Sequence, residues 1–237
     1  MSGPVPGSRS RLTAGGLAGV VGVAIPLVGL AIRPIWTFPS TTASSASVTS
    51  FVSVHTAALQ AMMITYTAGV TLWLVFGAAV WARMRATLPA ESMLTTCFAA
   101  GLTSLITLLL AGFTAFDILV YRRPDPTEAR LLYDLTFGLI AMSGMPTAVA
   151  LTAYAIATYR HHAFAHATGA IAAATAAAHV VLLLSFIVGR GFFSLQGAVI
   201  AVIPALLFFW IAQTGTTLTT QTRSATATAH NRPVMPR

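Results

Sequence analysis

The chain has 237 residues, of which 56% are hydrophobic and only 8% are charged. Soluble domains carry about 25% charged residues, so this composition excludes an ordinary soluble domain and indicates a polytopic membrane protein. The net charge of +8 comes from thirteen basic residues, all of them arginine, against five acids. These arginines are scattered among short loops, a pattern typical of membrane orientation rather than of nucleic-acid binding.

Six apolar segments are long enough to span a bilayer, which takes roughly 20 apolar residues. They cover residues 14–32, 53–80, 93–120, 131–159, 166–188 and 194–213. The fold class predicted is therefore all-α, a polytopic transmembrane bundle of six spanning helices. Three flanking segments complete the prediction: a cytoplasmic tail at 1–13, a polar loop at 40–50, and a disordered, Thr- and Ala-rich tail at 214–237.

The arginines also predict an orientation. With the N-terminus inside, eight of them lie on the inner side and five on the outer side. The positive-inside rule then predicts a multi-pass plasma-membrane protein with both termini in the cytoplasm. The first span has a 19-residue apolar run with no small-residue cleavage site directly after it, which indicates an uncleaved anchor.

Residues 112–146 are predicted to form the tip of a helical hairpin that carries four of the five acids. Asp125 followed by Pro126 predicts a helix start, since the carboxylate caps free N–H groups and proline suits the first helical position. Gly144-Met145-Pro146 predicts a bend in the fourth span, because proline removes a backbone hydrogen bond.

Four ionisable residues in or near the spans are candidates for an ion or polar site. An ionisable side chain inside a membrane is a functional candidate by default. A shared pair of carboxylates could bind a proton or a cation, whereas carboxylates paired with nearby arginines would only staple the hairpin. The candidates are Asp117, Asp134, His179 and His55.

Span three carries a polar stripe of near-heptad spacing, which we expect to face the bundle interior. In that position the stripe could form hydrogen bonds between helices or line a water-filled path for a solute. The stripe consists of Thr96, Thr103, Thr107, Thr114, Asp117 and Tyr121.

Span one carries a glycine stripe, which predicts close helix packing, either within the chain or with a second copy or a partner helix. It consists of Gly15, Gly19, Gly22 and Gly29.

The chain lacks the motifs of the common catalytic sites. It has no H-E-x-x-H, no C-x-x-C, no G-x-S-x-G and no lysine for a Walker motif. With only five acids, little is left for acid–base chemistry. We therefore predict that the protein is not an enzyme.

Residues 94–212 resemble a broad group of uncharacterised actinobacterial multipass membrane proteins. The resemblance rests on Arg130-Leu131-Leu132-Tyr133-Asp134-Leu135 followed by Met145-Pro146, and on WLVFGAAVWARMR at 73–85. It implies a six-helix membrane fold but no activity, so no functional residues are carried over. The chain differs from that pattern at 160–166, where RHHAFAH replaces a loop with Pro and Trp.

Three functions follow as hypotheses. The favoured one is a non-enzymatic structural or accessory membrane protein whose acidic hairpin is an ion-paired staple. The second is a small-solute, proton or metal-ion transporter that uses Asp117, Asp134 and His179. The third is a haem- or quinone-binding membrane protein with His55 and His179 as ligands. The first requires the carboxylates to be paired, and the others require the side chains to converge.

Overall fold

The computed structural model describes residues 8–40, 42–122 and 124–230, with side chains described from 10 to 220 within those ranges. These residues form helices joined by short connections and contain no strand, which confirms the all-α fold class. The helices are α1 (Ser8–Ile32), α2 (Ser45–Thr87), α3 (Leu94–Arg122), α4 (Pro126–Met142), α5 (Gly144–His161), α6 (His166–Leu182), α7 (Ser185–Val188) and α8 (Val199–His230).

Six segments of the described chain are long and apolar enough to cross a membrane, as predicted. They are Ser10–Thr37, Ser45–Thr87, Leu94–Arg122, Pro126–His161, His166–Val188 and Val199–Thr220. Each one overlaps a predicted span, so the chain is a multi-pass membrane protein. The predicted spans are shorter at several ends, since hydropathy reports the lipid-embedded length and not the helix that continues beyond it.

The polar loop predicted at 40–50 is shorter than expected, because α2 already begins at Ser45. The Ser44 hydroxyl accepts a hydrogen bond from the Ser47 N–H at 3.2 Å and caps the helix. The 43-residue α2 would measure about 64 Å if straight, well beyond the ~30 Å hydrocarbon core. It bends at His55, whose φ of −111° and ψ of 15° are not helical.

The predicted hairpin start and bend are both present. Asp125 caps α4 by accepting hydrogen bonds from the N–H groups of Thr127 at 2.8 Å and Glu128 at 3.2 Å. The fourth span breaks at Ser143, between α4 and α5, three residues before Pro146. Proline lacks an N–H and its ring clashes with the carbonyl four residues back, which explains the position of the break.

The prediction of a disordered tail from residue 214 is wrong as far as Thr220, because α8 continues through this segment. Thr214 and Leu218 are buried, and Gly215 packs against Gly16 of α1. The tail sequence is polar in composition, but this part of it completes the packing of α8 on α1. Residues 1–7 and 231–237 of the two predicted tails lie outside the described residues.

The glycine stripe of α1 packs on α2 of the same chain. A Cβ at Gly19 would lie 2.6 Å from the Phe76 ring, and one at Gly22 would lie 2.8 Å from the Trp73 ring. Gly15 meets Ala79 and Gly29 meets Thr65 in the same way. The glycine stripe therefore packs against another helix of the same chain, and it is not accessible to a second copy or a partner helix.

Candidate functional site

The loop end of the bundle that carries the acidic hairpin is held by an ion pair with additional hydrogen bonds. The Arg130 guanidinium donates from Nε to Asp134 at 2.7 Å and from Nη1 to the Ala43 carbonyl at 2.8 Å. The other Asp134 oxygen accepts a hydrogen bond from the Gln196 amide at 3.3 Å. These contacts join α4 to the α1–α2 loop and to the loop before α8. Asp134 thus makes the contacts expected of an ion pair that holds the hairpin to neighbouring elements, as the first hypothesis predicted.

We expect Asp134→Asn to lower the thermal stability of the purified protein in detergent, by about 1–2 kcal/mol of unfolding free energy. The pair is partly exposed, with 20% and 39% of the two side chains accessible, so the loss is smaller than for a fully buried pair. Thermal unfolding followed by circular dichroism measures it. Glu128→Gln, on the same helix and exposed, is the matched control, and an equal loss in both variants would contradict the staple.

Asp117 lies elsewhere, on the exposed surface of α3. It makes no ion pair or hydrogen bond within the described part of the chain. The whole polar stripe of span three, from Thr96 to Tyr121, is likewise exposed, so the prediction that it faces the bundle interior is wrong. Larger apolar side chains of α3, such as Phe98 and Phe116, take the inward positions instead.

The two histidines are separated as well. His55 lies at the bend of α2, where its ring contacts Phe51 and borders a shallow surface groove. His179 is 2% exposed and lines an internal cavity. In the ranges that the structure describes, no three His, Cys, Asp or Glu side chains come together as a metal site. Within the described residues, no hydrogen bond, ion pair or shared cavity joins any two of the four predicted site residues.

The internal cavity is the most site-like feature of the bundle. It has a volume of about 110 Å³ and lies among α1, α2, α3, the α4–α5 junction, α6 and α8. Most of its lining is aliphatic or aromatic, including Trp73, Leu109, Phe113 and Phe208. An apolar cavity with a few polar groups is the default location of a small-molecule site.

Two prolines inside helices and one helix break line this cavity. Pro26 lies inside α1 and Pro204 inside α8, both of which continue through the proline, and Ser143 separates α4 from α5. A proline inside a helix leaves the carbonyl four residues back without its usual partner. At the Ser143 break Gly144 packs closely on α6, because a Cβ there would lie 2.5 Å from the His179 carbonyl oxygen.

Two polar groups on the cavity wall have no hydrogen-bond partner among the described residues. The His179 Nδ1 atom lies 2.8 Å from the Thr175 carbonyl. Because a carbonyl oxygen only accepts, Nδ1 carries the hydrogen, and Nε2 of the neutral ring is left as an acceptor. The Tyr66 hydroxyl is the other group. By contrast, the Trp73 indole N–H donates to the Gly22 carbonyl, and the Ser143 hydroxyl donates to the Ile140 carbonyl.

Comparison with known proteins gives no further indication of what the cavity holds. No family model, no curated protein and no solved structure matches the chain. The resemblance to actinobacterial multipass membrane proteins stays a prediction.

The size of the cavity decides which ligands it accommodates. A cavity of 150 Å³ holds a benzene molecule, so about 110 Å³ fits a smaller molecule of a few carbon atoms. Cofactor sites usually measure about 300–1,000 Å³, so neither haem nor a quinone ring fits this cavity. His55 is also absent from its lining, which removes the second predicted haem ligand. A short alcohol or ketone fits better.

Sequence reasoning identified His179 but missed the other polar group of the cavity, Tyr66. A signal was present, since Tyr66 is the only tyrosine of α2 and lies in its apolar part. The prolines inside helices were a second signal, because Pro26 and Pro204 both line the cavity. Trp73 also lines it and is buried.

Proposed function

We propose that the protein is a non-enzymatic accessory protein of the plasma membrane that holds a small, mainly apolar molecule with a hydroxyl or carbonyl head group. The observation that carries this proposal is the mainly apolar cavity lined by His179 and Tyr66, whose Nε2 and hydroxyl have no hydrogen-bond partner among the described residues. The acidic hairpin supports the accessory role, because Asp134 and Arg130 are engaged in contacts between elements.

The two polar groups select the head group of the ligand. His179 Nε2 accepts a hydrogen bond, so a ligand hydroxyl is favoured opposite it, and Tyr66 donates to or accepts from the same head group. Leaving a buried polar group unpaired costs about 1–3 kcal/mol, so a purely apolar molecule of the same shape binds less well. A short alcohol of a few carbon atoms satisfies both the size of the cavity and its polarity.

A transporter that uses Asp117, Asp134 and His179 has less support. An ion or solute path needs polar groups that follow one another through the bilayer. Asp117 is on the outer surface of α3, Asp134 is paired near the loop end, and the wall around His179 is apolar. The described residues offer no observation that favours this alternative over a binding role.

1-Propanol tests the proposed binding site, with 1-chloropropane as a probe of matched size that lacks a hydroxyl group. We expect 1-propanol to raise the thermal unfolding midpoint of the detergent-purified protein more than 1-chloropropane does. Tyr66→Phe and His179→Leu should each weaken the apparent affinity for 1-propanol roughly tenfold, since each variant leaves the head group one partner short.

His55→Leu is the matched control, because this histidine lies outside the cavity and its loss should leave the 1-propanol shift unchanged. Equal shifts with 1-propanol and 1-chloropropane, or a 1-propanol shift that both cavity variants retain, would contradict the proposal. A wild-type protein with no shift at all at millimolar 1-propanol would also contradict it.

The proposed location, with both termini in the cytoplasm, is supported by the distribution of arginines between the two sets of loops. Six spanning helices put both termini on the same side, whichever side that is. Reporter domains fused at the C-terminus, one active only in the cytoplasm and one only outside, test the orientation. A signal from the outside reporter would reverse it.

A further inference from the structure

The exposed face of α3 is unusual for a surface that lies against lipid. It presents small and hydroxylated side chains along almost the whole helix instead of large aliphatic ones. All are exposed except Cys97, which is half-buried. We call this surface the α3 face, and it consists of Cys97, Ala100, Ser104, Thr107, Ala111, Thr114, Ile118 and Tyr121.

Several polar groups on or beside this face lack partners. Ser104 and Thr107 make no hydrogen bond within the described residues, although most other hydroxyls in the chain bond to a backbone carbonyl. Asp117 flanks the face five residues before Arg122, about 7.5 Å deeper along the helix axis. A carboxylate at that depth without a cation is costly in hydrocarbon. No residue in the described part of a single copy compensates this cost.

The spacing of the face is that of a coiled coil. Counting from Cys97, its members alternate at intervals of three and four residues, which gives four a positions and four d positions. Six of the eight, all except Ile118 and the terminal Tyr121, are small enough to let two helix backbones approach closely in lipid. In this register Asp117 is a g position and Arg122 is an e position.

The register makes the α3 face complementary to itself. In a parallel pair of helices, a g residue of one helix lies beside the e residue five positions later on the other. Asp117 of one copy would therefore pair with Arg122 of a second copy, and a two-fold axis would form the same pair twice. Two copies inserted in the same orientation present their α3 helices in parallel, as this pairing requires. Arg122 has no ion pair within the described chain, so it is available for this contact.

We infer that the α3 face is the interface between two copies of this chain, packed through their small residues and closed by two Asp117–Arg122 ion pairs. A second copy fits better than an unrelated helix because the acid and the base lie on opposite flanks of one face. This inference replaces the glycine stripe of α1 as the surface for self-association, since that stripe is buried against α2. It does not rest on the proposed ligand.

Disulfide cross-linking in native membranes tests the contact. In a Cys97→Ala background, Ala111→Cys places one thiol at an a position, where two symmetry-related Cα atoms come within disulfide range. We expect rapid formation of a covalent dimer on mild oxidation. Ile64→Cys is the control, because Ile64 is 70% exposed on the surface of α2 and should cross-link several-fold less. Equal yields at the two positions would overturn the inference.

A charge exchange tests the ion pairs. Asp117→Arg and Arg122→Asp should each weaken the dimer, raising its dissociation constant roughly tenfold, because like charges then face each other. The double variant Asp117→Arg/Arg122→Asp restores opposite charges and should recover the Ala111→Cys cross-linking. Helical circular dichroism and a single gel-filtration peak confirm that each variant is folded. A folded double variant as weak as the single ones would overturn the pairing.

Discussion

Replacing Gly22 with leucine is expected to separate the first span from the second and to cost about 3 kcal/mol of unfolding free energy. A Cβ at Gly22 would lie 2.8 Å from the Trp73 ring and 3.0 Å from the Gly69 carbonyl oxygen, so α1 has to move away from α2. The move also breaks the 3.0 Å hydrogen bond from the Trp73 indole to the Gly22 carbonyl. Denaturant unfolding in detergent measures the loss.

The same substitution affects the cavity, because Trp73 and Pro26 form part of its wall. Gly22→Leu should therefore abolish the rise in the unfolding midpoint that 1-propanol causes. Ala24→Leu is the matched control: it adds a similar side chain two residues later on an exposed part of α1, and we expect a change below about 0.5 kcal/mol. An equal loss of unfolding free energy in the two variants would contradict the conclusion that the close approach at Gly22 holds α1 against α2.

Replacing Tyr133 with alanine is expected to cost about 3–5 kcal/mol, the second large effect. The ring is fully buried in α4 and packs with Phe137 at 5.0 Å and Phe116 at 6.4 Å between ring centroids. Its hydroxyl donates to the Pro39 carbonyl at 2.8 Å, which holds the α1–α2 loop on the hairpin. Removing the side chain leaves a void and frees this loop.

Tyr133→Phe separates the ring from its hydrogen bond. It keeps the packing and should cost only about 1 kcal/mol, the usual net contribution of one hydrogen bond. Leu135→Ala, at an exposed position two residues later, controls for shortening a side chain on the same helix. A phenylalanine variant as unstable as the alanine variant would show that the hydroxyl, and not the ring, dominates.

The hairpin shows what local sequence predicts well. The start of α4 follows from Asp125-Pro126, because a cap and a proline act within one helical turn. The break in the fourth span follows from Pro146 for the same local reason. The pairing of Asp134 with Arg130 is also local, four residues apart on one helix. Its further partner Gln196, 62 residues away, was not predictable from any local pattern.

The direction of the α3 stripe shows where the prediction failed. Polar residues in a span are expected to point inward, but on α3 the inward positions belong to larger apolar side chains that fill the core. Hydropathy does not distinguish the two sides of such a helix, because lipid and protein core are both apolar. Only the packing of α3 against α2, α4 and α5 shows which side remains free.

The sequence by itself determined that this is a six-span helical membrane protein, where α4 begins, where the fourth span bends, and that its acids cluster in one hairpin. Those properties follow from hydrophobic length, capping and proline geometry, which act over a few residues. Only the tertiary structure decided that His179 and Tyr66 share a cavity, that the glycines of α1 pack within the chain, and that Asp117 faces outward. Each of these depends on how helices distant in sequence pack together, and no local pattern encodes that arrangement.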